Sequence, residues 1–234
     1  GDRITLVDDD INALGATILG LGVSAPSFDG RLDSYRVSTV VRSGATLRAG
    51  TVVLGGQVNG ADDVVVESGA TIDTRGLEAA GWTAANGIVL APAEDQALLV
   101  VGNDLMTFGG ASGDGRLRVE DGAALFGEGS VALLASGGAE IGDISLGARD
   151  LLLGVEDINV GTDAALAQAA SDGVLSSGWR LTQSVLDGLL RPADGPGIES
   201  LSFQASNSIN FIGPVSLDTF DPGTGESSAD LRFI

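Results

Sequence analysis

Short runs in which apolar and polar residues alternate recur along most of the chain, separated by glycine-rich turns. A period of two places every second side chain on the same face, which is the pattern of a strand with one buried face. From residue 35 onward this alternation is regular and predicts short strands at 37–41, 46–47, 51–54, 64–66 and 71–73. The chain is therefore predicted to be all-β over most of its length.

The strand pattern is first interrupted at residues 76–87, GLEAAGWTAANG, where small residues and a tryptophan replace the alternation. We expect this segment to leave the strand series as an excursion. The series is predicted to resume at 88–90 and to continue through 97–101 and 105–108. The clearest strand pattern follows at 144–161, ISLGARDLLLGVEDINVG.

Beyond that pattern the apolar spacing changes to three and four residues, which is typical of helices. Residues 162–170 (TDAALAQAA) begin with an N-cap candidate, Thr162, and Gly173 lies just past their end. Residues 179–190 (WRLTQSVLDGLL) predict an amphipathic helix of about three turns that stops at Pro192. Strand patterns then return and run to the end of the sequence.

Three of the strand segments share one skeleton: VVRSGATL at 40–47, VVVESGATI at 64–72 and RVEDGAAL at 118–125. Equivalent positions are 25 residues apart between the first two copies and 53 apart between the second and third, close to twice that step. A repeat of this length, built from short strands, is typical of a β-solenoid in which each turn completes the core of its neighbours.

The repeated glycines Gly44, Gly69 and Gly122 occupy the same place in each copy. At a corner between two faces of a solenoid the chain needs a residue that can take positive φ, and glycine does so without steric cost. The alanine that follows is small enough to face inward there. Ser-Gly-Ala is also a common turn sequence in other folds, so the tripeptide alone does not decide between the two interpretations.

Composition and charge restrict the function further. With 36 glycines and only 4% aromatic residues, the core has to be built in thin layers from Val, Leu, Ile and Ala. The 12 basic residues are all arginine, and 32 carboxylates give a net charge of −20, which repels nucleic acid and anionic membrane surfaces. Cysteine and histidine are both absent, which removes disulfides, thiolate metal sites and the commonest general base.

Carboxylates are thus the plentiful reactive groups. Two carboxylates on one groove can cleave a polysaccharide as acid and base or nucleophile, and the candidates are Asp62, Asp63, Glu67 and Asp73. Aspartate at a solenoid corner is more often a solvated turn former. We therefore expect no catalytic residues, with these four as the alternative.

Two further kinds of site are considered. Trp82 is a candidate for stacking on a sugar or for the core, whereas Trp179 is expected in the core. No cofactor is predicted except possible calcium, because the segment GGASGDGRL at 109–117 misses the spacing of the nonapeptide calcium repeat by one residue. The weak calcium candidates are Asp8, Asp9, Asp10, Asp114, Asp218 and Asp221.

The last part of the chain resembles a known family. The segments ARDLLLGVEDINVG, GWRLTQSVLDGLL and ESLSFQASNSINFIGPVSLD follow one another between residues 148 and 218. Rungs, a leucine-rich helix and then S-I-N-F-x-G-x-V-x-L in this order are similar to a recurrent block of the filamentous haemagglutinin-type secreted bacterial proteins. The resemblance is best over residues 140–234.

The resemblance implies a right-handed parallel β-helix with rungs at 1–161, a helical insert at 162–192 and further rungs at 193–234. It also implies two-partner secretion through an outer-membrane pore and a place on the surface of a Gram-negative cell, or shed from it. The family's N-terminal secretion domain is not evident before Gly44. Because an uncapped solenoid end would expose strand edges, we expect the natural polypeptide to continue beyond residue 234.

We therefore expect a structural, non-enzymatic segment of an exported adhesin. Its partners would be the secretion pore and a host-cell or matrix receptor, either glycan or protein, with no nucleic acid and no membrane span. The alternative is a β-helix polysaccharide lyase or glycoside hydrolase. Carboxylates gathered with arginine on one groove would favour the enzyme, and carboxylates scattered over corners would favour the adhesin.

Overall fold

A computed structural model describes residues 2–6, 11–12, 17–23, 31–32, 36–58, 62–176, 178–190, 197–221, 226–227 and 229–234. The chain is mostly β, with 49% strand against 11% helix, and its main sheets are largely parallel. The predicted dominance of strands is therefore confirmed.

The described strands and helices are as follows. Strands β1 to β7 are Asp2–Leu6, Ile11–Asn12, Ile18–Leu21, Arg31–Leu32, Val37–Val41, Thr46–Arg48 and Thr51–Gly56. Strands β8 to β14 are Val64–Val66, Thr71–Asp73, Val89–Pro92, Ala97–Gly102, Thr107–Phe108, Arg116–Val119 and Ala124–Phe126. Strands β15 to β23 are Ser130–Ala135, Gly138–Ile141, Ser145–Gly147, Asp150–Gly161, Trp179–Thr182, Ser200–Ile212, Phe220–Asp221, Glu226–Ser227 and Asp230–Phe233. The α-helices are α1 (Asp163–Ser171) and α2 (Gln183–Leu190), and a short 3₁₀ helix spans Ala84–Asn86.

Three sheets receive these strands in chain order. Sheet A is β1-β5-β8-β13-β16, and sheet B is β2-β6-β9-β14-β17. Sheet C is β3-β7-β11-β15-β18-β20-β23, with β19 paired to β18 beside this path. As far as β18 the chain therefore passes from sheet A to B to C and starts again one strand further along each sheet, whereas the described strands β20 and β23 extend sheet C alone.

The register between turns explains the repeated sequence skeleton. Val41, Val66 and Val119 are aligned across sheet A, and Leu47 and Ile72 are aligned across sheet B. All five side chains are at most 1% exposed and belong to one core cluster to which residues of all three sheets contribute. The apolar positions of each copy thus stack on those of the next.

The corners between sheets A and B carry the repeated glycines. Gly44, Gly69 and Gly122 have φ of 79°, 75° and 78°, so the expectation of positive φ at equivalent corners is confirmed. The alanine after each glycine is fully buried, as predicted.

One strand of sheet C runs antiparallel to both of its neighbours. Strand β11 pairs antiparallel with both β7 and β15, whereas all other pairs within the three sheets are parallel among the described residues. The chain leaves the stack after β9 and re-enters sheet C from its opposite end. The predicted strand at 97–101 is present, but its direction is reversed.

The excursion covers the outer face of sheet C. Strands β4, β10 and β12 form a small parallel sheet outside the three main ones, and Trp82 packs with Leu98 and Val100 in a second apolar cluster. The excursion at 76–87 is confirmed. The prediction that 88–90 and 105–108 rejoin the main series of strands is wrong. Sheet C has apolar side chains on both faces, and this segment covers the face that does not belong to the central core.

The helical insert is only partly as predicted. Helix α1 is capped by the Thr162 side chain, which accepts a hydrogen bond from the Ala165 N–H at 3.3 Å, and Gly173 has φ 68° beyond its end. The prediction of one helix over 179–190 is wrong for its first turn, because Trp179–Thr182 is strand β19, paired in parallel with the end of β18. Trp179 is buried in the core as expected, and Pro192 lies outside the described residues.

Candidate functional site

A groove of about 970 Å³ lies where sheet A ends. Strand β16 is the last strand of sheet A, and it pairs with β13 on one side only within the described part of the chain. Strand β19 lies beside β16 but pairs with β18 instead. The groove therefore follows a seam between two strands that do not form a ladder with each other.

Alternation along β13 places charge at this groove. Leu117 and Val119 are buried in the core, while Arg116 is exposed and Arg118 is partly exposed. Glu140 of β16 is in register with Arg118 and is exposed. The strand that builds the core from one face thus presents guanidinium groups on the other.

Arg118 is the electrostatic centre of the groove. Its Nε lies 3.0 Å from Asp62 Oδ2, and its Nη1 lies 3.4 Å from Glu120 Oε1. Glu120 also accepts a hydrogen bond from the backbone N–H of Ser68 at 3.1 Å. One arginine therefore joins two carboxylates that are far apart in sequence.

The charged side chains on the far wall of the groove have fewer ion-pair partners. Arg180 and Glu140 both line it and are exposed, and neither makes an ion pair among the described residues. Asp121 and Arg116 complete the charged lining. The groove thus carries both signs of charge with some groups left to water.

Asp63 follows Asp62 in sequence, but it is buried and does not line the groove. It is only 1% exposed, and its carboxylate accepts hydrogen bonds from the backbone N–H groups of Val58 and, at 2.8 Å, of Arg116. Burial raises the pKa of Asp63, although these backbone hydrogen bonds act in the opposite direction. Its carboxylate holds two chain segments together, whereas Asp62 lines the groove.

Glu67 and Asp73 also lie apart from the groove. Glu67 pairs with Arg42 and accepts from the Ser43 N–H. Asp73 accepts two hydrogen bonds from the Arg75 guanidinium, at 2.9 and 3.0 Å; burial would raise the pKa of Asp73, but its hydrogen bonds with Arg75 lower it overall. Of the four predicted carboxylates only Asp62 lines the groove, so they do not form one site.

Trp82 does not present a free ring. It is 7% exposed within the second apolar cluster, and its backbone N–H donates to Asp104 Oδ2 at 2.9 Å. Stacking of this side chain on a sugar is therefore corrected to a packing role under the excursion.

The calcium candidates are dispersed. Asp8, Asp9 and Asp10 lie outside the described residues, as does the side chain of Asp221. Asp114 and Asp218 are exposed; the Asp114 N–H donates to Asp95, and Asp218 Oδ1 accepts from the Phe220 N–H. Where the chain is described, no group of three or more acidic side chains is close enough to hold a metal ion.

Sequence reasoning missed most of the groove. The alternating RLRV of β13 signals an exposed arginine pair, but Asp62, which pairs with Arg118, and Glu140, which is in register with it, come from other parts of the chain. Arg180 could not be placed, because its segment has helical spacing and was predicted as a helix. The clustering depends on register between turns, which a single sequence does not give.

A polar ladder lies close by on β18 and β20. Asn159 Oδ1 accepts from Asn210 Nδ2 at 3.1 Å and from Ser176 Oγ at 2.9 Å. Asn159 is fully buried and is in register with Asn210. The amide of Asn210 thus donates to that of Asn159, and the Asn159 amide in turn donates to Ser176 O at 3.3 Å.

No protein-family model, characterised protein or solved structure matches this chain. None of the helices in the described ranges is long and apolar enough to cross a membrane. The fold and the groove are therefore the features from which a function is inferred.

Proposed function

We propose that this chain is a right-handed parallel β-helix that serves as a structural and attachment segment of an exported bacterial surface protein. The observation that carries the proposal is the order of the strands: as far as β18, sheets A, B and C each gain one strand in chain order, and the described strands β20 and β23 then extend sheet C alone. Such an arrangement is a stack of similar turns, whose length grows with the number of repeats. The right hand agrees with the strong preference of parallel crossover connections.

Attachment requires stiffness and a surface that a partner can contact. Stiffness is supported by the continuous core cluster and by the asparagine ladder between β18 and β20. The groove at the end of sheet A offers a large concave surface with charged groups of both signs. Export through an outer-membrane partner pore to the surface of a Gram-negative cell follows from the resemblance to the filamentous haemagglutinin type and belongs to the same proposal.

Cleavage of a polysaccharide is the second candidate. It is favoured by one observation, namely that four carboxylates and three arginines share the groove: Asp62, Glu120, Asp121, Glu140, Arg116, Arg118 and Arg180. Against it, Asp62 and Glu120 are both held by Arg118. The carboxyl group with a raised pKa, Asp63, is buried beneath backbone amides, where a substrate has no access. Binding is therefore preferred to catalysis.

The experiment that separates the two candidates uses the purified chain and a panel of acidic and neutral polysaccharides and matrix proteins, with and without calcium. Retained partner and new reducing or unsaturated chain ends are measured in parallel. We expect retention without new ends. New ends that are lost in Asp62→Asn but kept in Asp230→Asn, an exposed carboxylate outside the groove, would replace the attachment role with a lyase or hydrolase. Absence of both retention and cleavage would contradict attachment through this segment.

A further inference from the structure

The edge of β16 that faces the groove has backbone groups without a strand partner. Gly142 donates its N–H to Val119 O at 2.9 Å, toward β13. Since alternate residues of a parallel strand direct their N–H and C=O groups to opposite sides, those of Ala139 and Ile141 point away from β13. No strand pairs with that side in the described part of the chain. Unpaired strand edges are templates for a further strand.

Space for a backbone is present beside this edge. Gly138 lines the groove, and a Cβ built on it would meet no atom within 4 Å. The other lining glycines, Gly137, Gly142 and Gly178, are instead approached closely by Asp114, Asp121 and Asp157 of this chain. Glycine in or next to a strand is frequent where another backbone approaches closely. The wall opposite β16 includes β19, where Trp179 is buried in the core and Arg180 is exposed to the groove.

The side-chain rows of sheet A define what a further strand should carry. Leu117 is in register with Ala139, and Val119 with Ile141, so these two rows are apolar. Between them Arg118 is in register with Glu140, and Glu140 makes no ion pair among the described residues. The next position in that row therefore favours a cation. The net charge of −20 also favours a basic partner.

We propose that this groove binds an extended peptide by strand addition along β16, with apolar residues beside Ala139 and Ile141 and a basic residue opposite Glu140. The affinity would come from main-chain hydrogen bonds and the selectivity from the alternate side chains. This inference rests on the attachment role proposed above, in that it takes the groove as the contact surface, and it names the class of partner.

The probes are two synthetic, end-blocked, fluorescently labelled heptapeptides that are identical except for the centre, Leu-Arg-Val in one and Leu-Glu-Val in the other. Fluorescence anisotropy with the full chain measures both dissociation constants. We expect the arginine peptide to bind more tightly by roughly 2- to 30-fold, since an opposite-charge cross-strand pair replaces a like-charge pair. Glu140→Arg should reverse this order. Glu94→Arg, the same charge change at an exposed site outside the groove, should leave it unchanged.

Two further measurements address the backbone hydrogen bonds. Ala139→Pro removes an N–H that faces the groove and places the proline ring there, so both peptides should lose binding; circular dichroism checks that the variant is folded. N-methylation of the arginine peptide requires no change in the protein. Alternate N–H groups of the bound peptide point toward β16 and away from it. Methylation of those that point toward β16 should weaken binding more than methylation of those that point away.

Several outcomes would overturn the inference: no binding of either peptide at millimolar concentration, equal affinity of the two peptides, or an order unaffected by Glu140→Arg. Uronic-acid oligosaccharides are titrated in parallel. If they bind and lose affinity in Arg118→Ala while peptides do not bind, the groove is a glycan site and only the peptide inference fails. If neither class of probe binds, the attachment role of the groove fails with it.

Discussion

Replacement of a corner glycine isolates the contribution of backbone conformation to this fold. Gly69 has φ 75°, and a Cβ at this position would come no closer than 3.8 Å to any neighbour, so Gly69→Ala adds strain without a collision. Gly188 lies within helix α2 and a Cβ there meets nothing within 4 Å. The two alanine variants thus share the same chemical change and the same effect on the unfolded chain.

The expected magnitudes have opposite signs. An L-residue in the left-handed region costs about 1–2 kcal/mol, while the loss of unfolded-chain entropy returns about 0.4–1 kcal/mol. Gly69→Ala should therefore destabilise by about 1 kcal/mol, whereas Gly188→Ala should stabilise by about 0.5–1 kcal/mol. Urea unfolding followed by circular dichroism gives both values from the shift in midpoint at constant slope. Equal shifts for the two variants would refute the idea that the repeated glycines are needed for their positive φ. They would indicate that both glycines act only through the flexibility of the unfolded chain.

The remaining predictions concern the core and two carboxylates. Leu125→Ala should lower the free energy of unfolding by about 2–5 kcal/mol, because the side chain is fully buried. Val174 is 74% exposed, so Val174→Ala should change it by less than about 0.5 kcal/mol. Urea unfolding midpoints measure both effects, and similar values would contradict the assignment of Leu125 to the core. Burial raises the pKa of Asp63, so the folded state holds this proton more tightly than the unfolded chain does. Its contribution to stability should fall as the pH rises from about 4 through the raised pKa, and a pH series should show that this slope is reduced in Asp63→Asn. For Asp73, burial alone would raise the pKa, but the Arg75 hydrogen bonds lower it overall, so its stabilising contribution is present above about pH 4 and lost as the pH falls through the lowered pKa. An unchanged acid limb in Arg75→Ala would contradict this.

Local periodicity gave correct strands wherever one face of the strand lies in the central core. The segments at 37–41, 64–66 and 71–73 were predicted with the bounds that the structure has. Helix α1 was also predictable, because its Thr162 cap and the glycine beyond its end are local signals. In these places the neighbours in sequence are sufficient to select the conformation.

Non-local packing overrode periodicity in two places. Residues 88–90 and 105–108 look like rungs, but they cover an outer face of sheet C that is itself apolar. Trp179–Thr182 has helical spacing together with the rest of its segment, yet the end of β18 offers it a strand partner. A sequence pattern shows that a side chain needs burial, but it does not show which surface buries it.

The sequence by itself determined the dominance of strands, the repeated sequence skeleton, its positive-φ glycines and the strongly acidic character of the protein. Only the tertiary structure decided the reversed direction of β11 and the gathering of Asp62, Arg118, Glu120 and Glu140 around one groove. The reason is that strand direction and register depend on contacts between residues far apart in sequence, such as Asp62 with Arg118 and Arg118 with Glu140. A period of two fixes the face on which each side chain lies, but not the neighbour that it meets there.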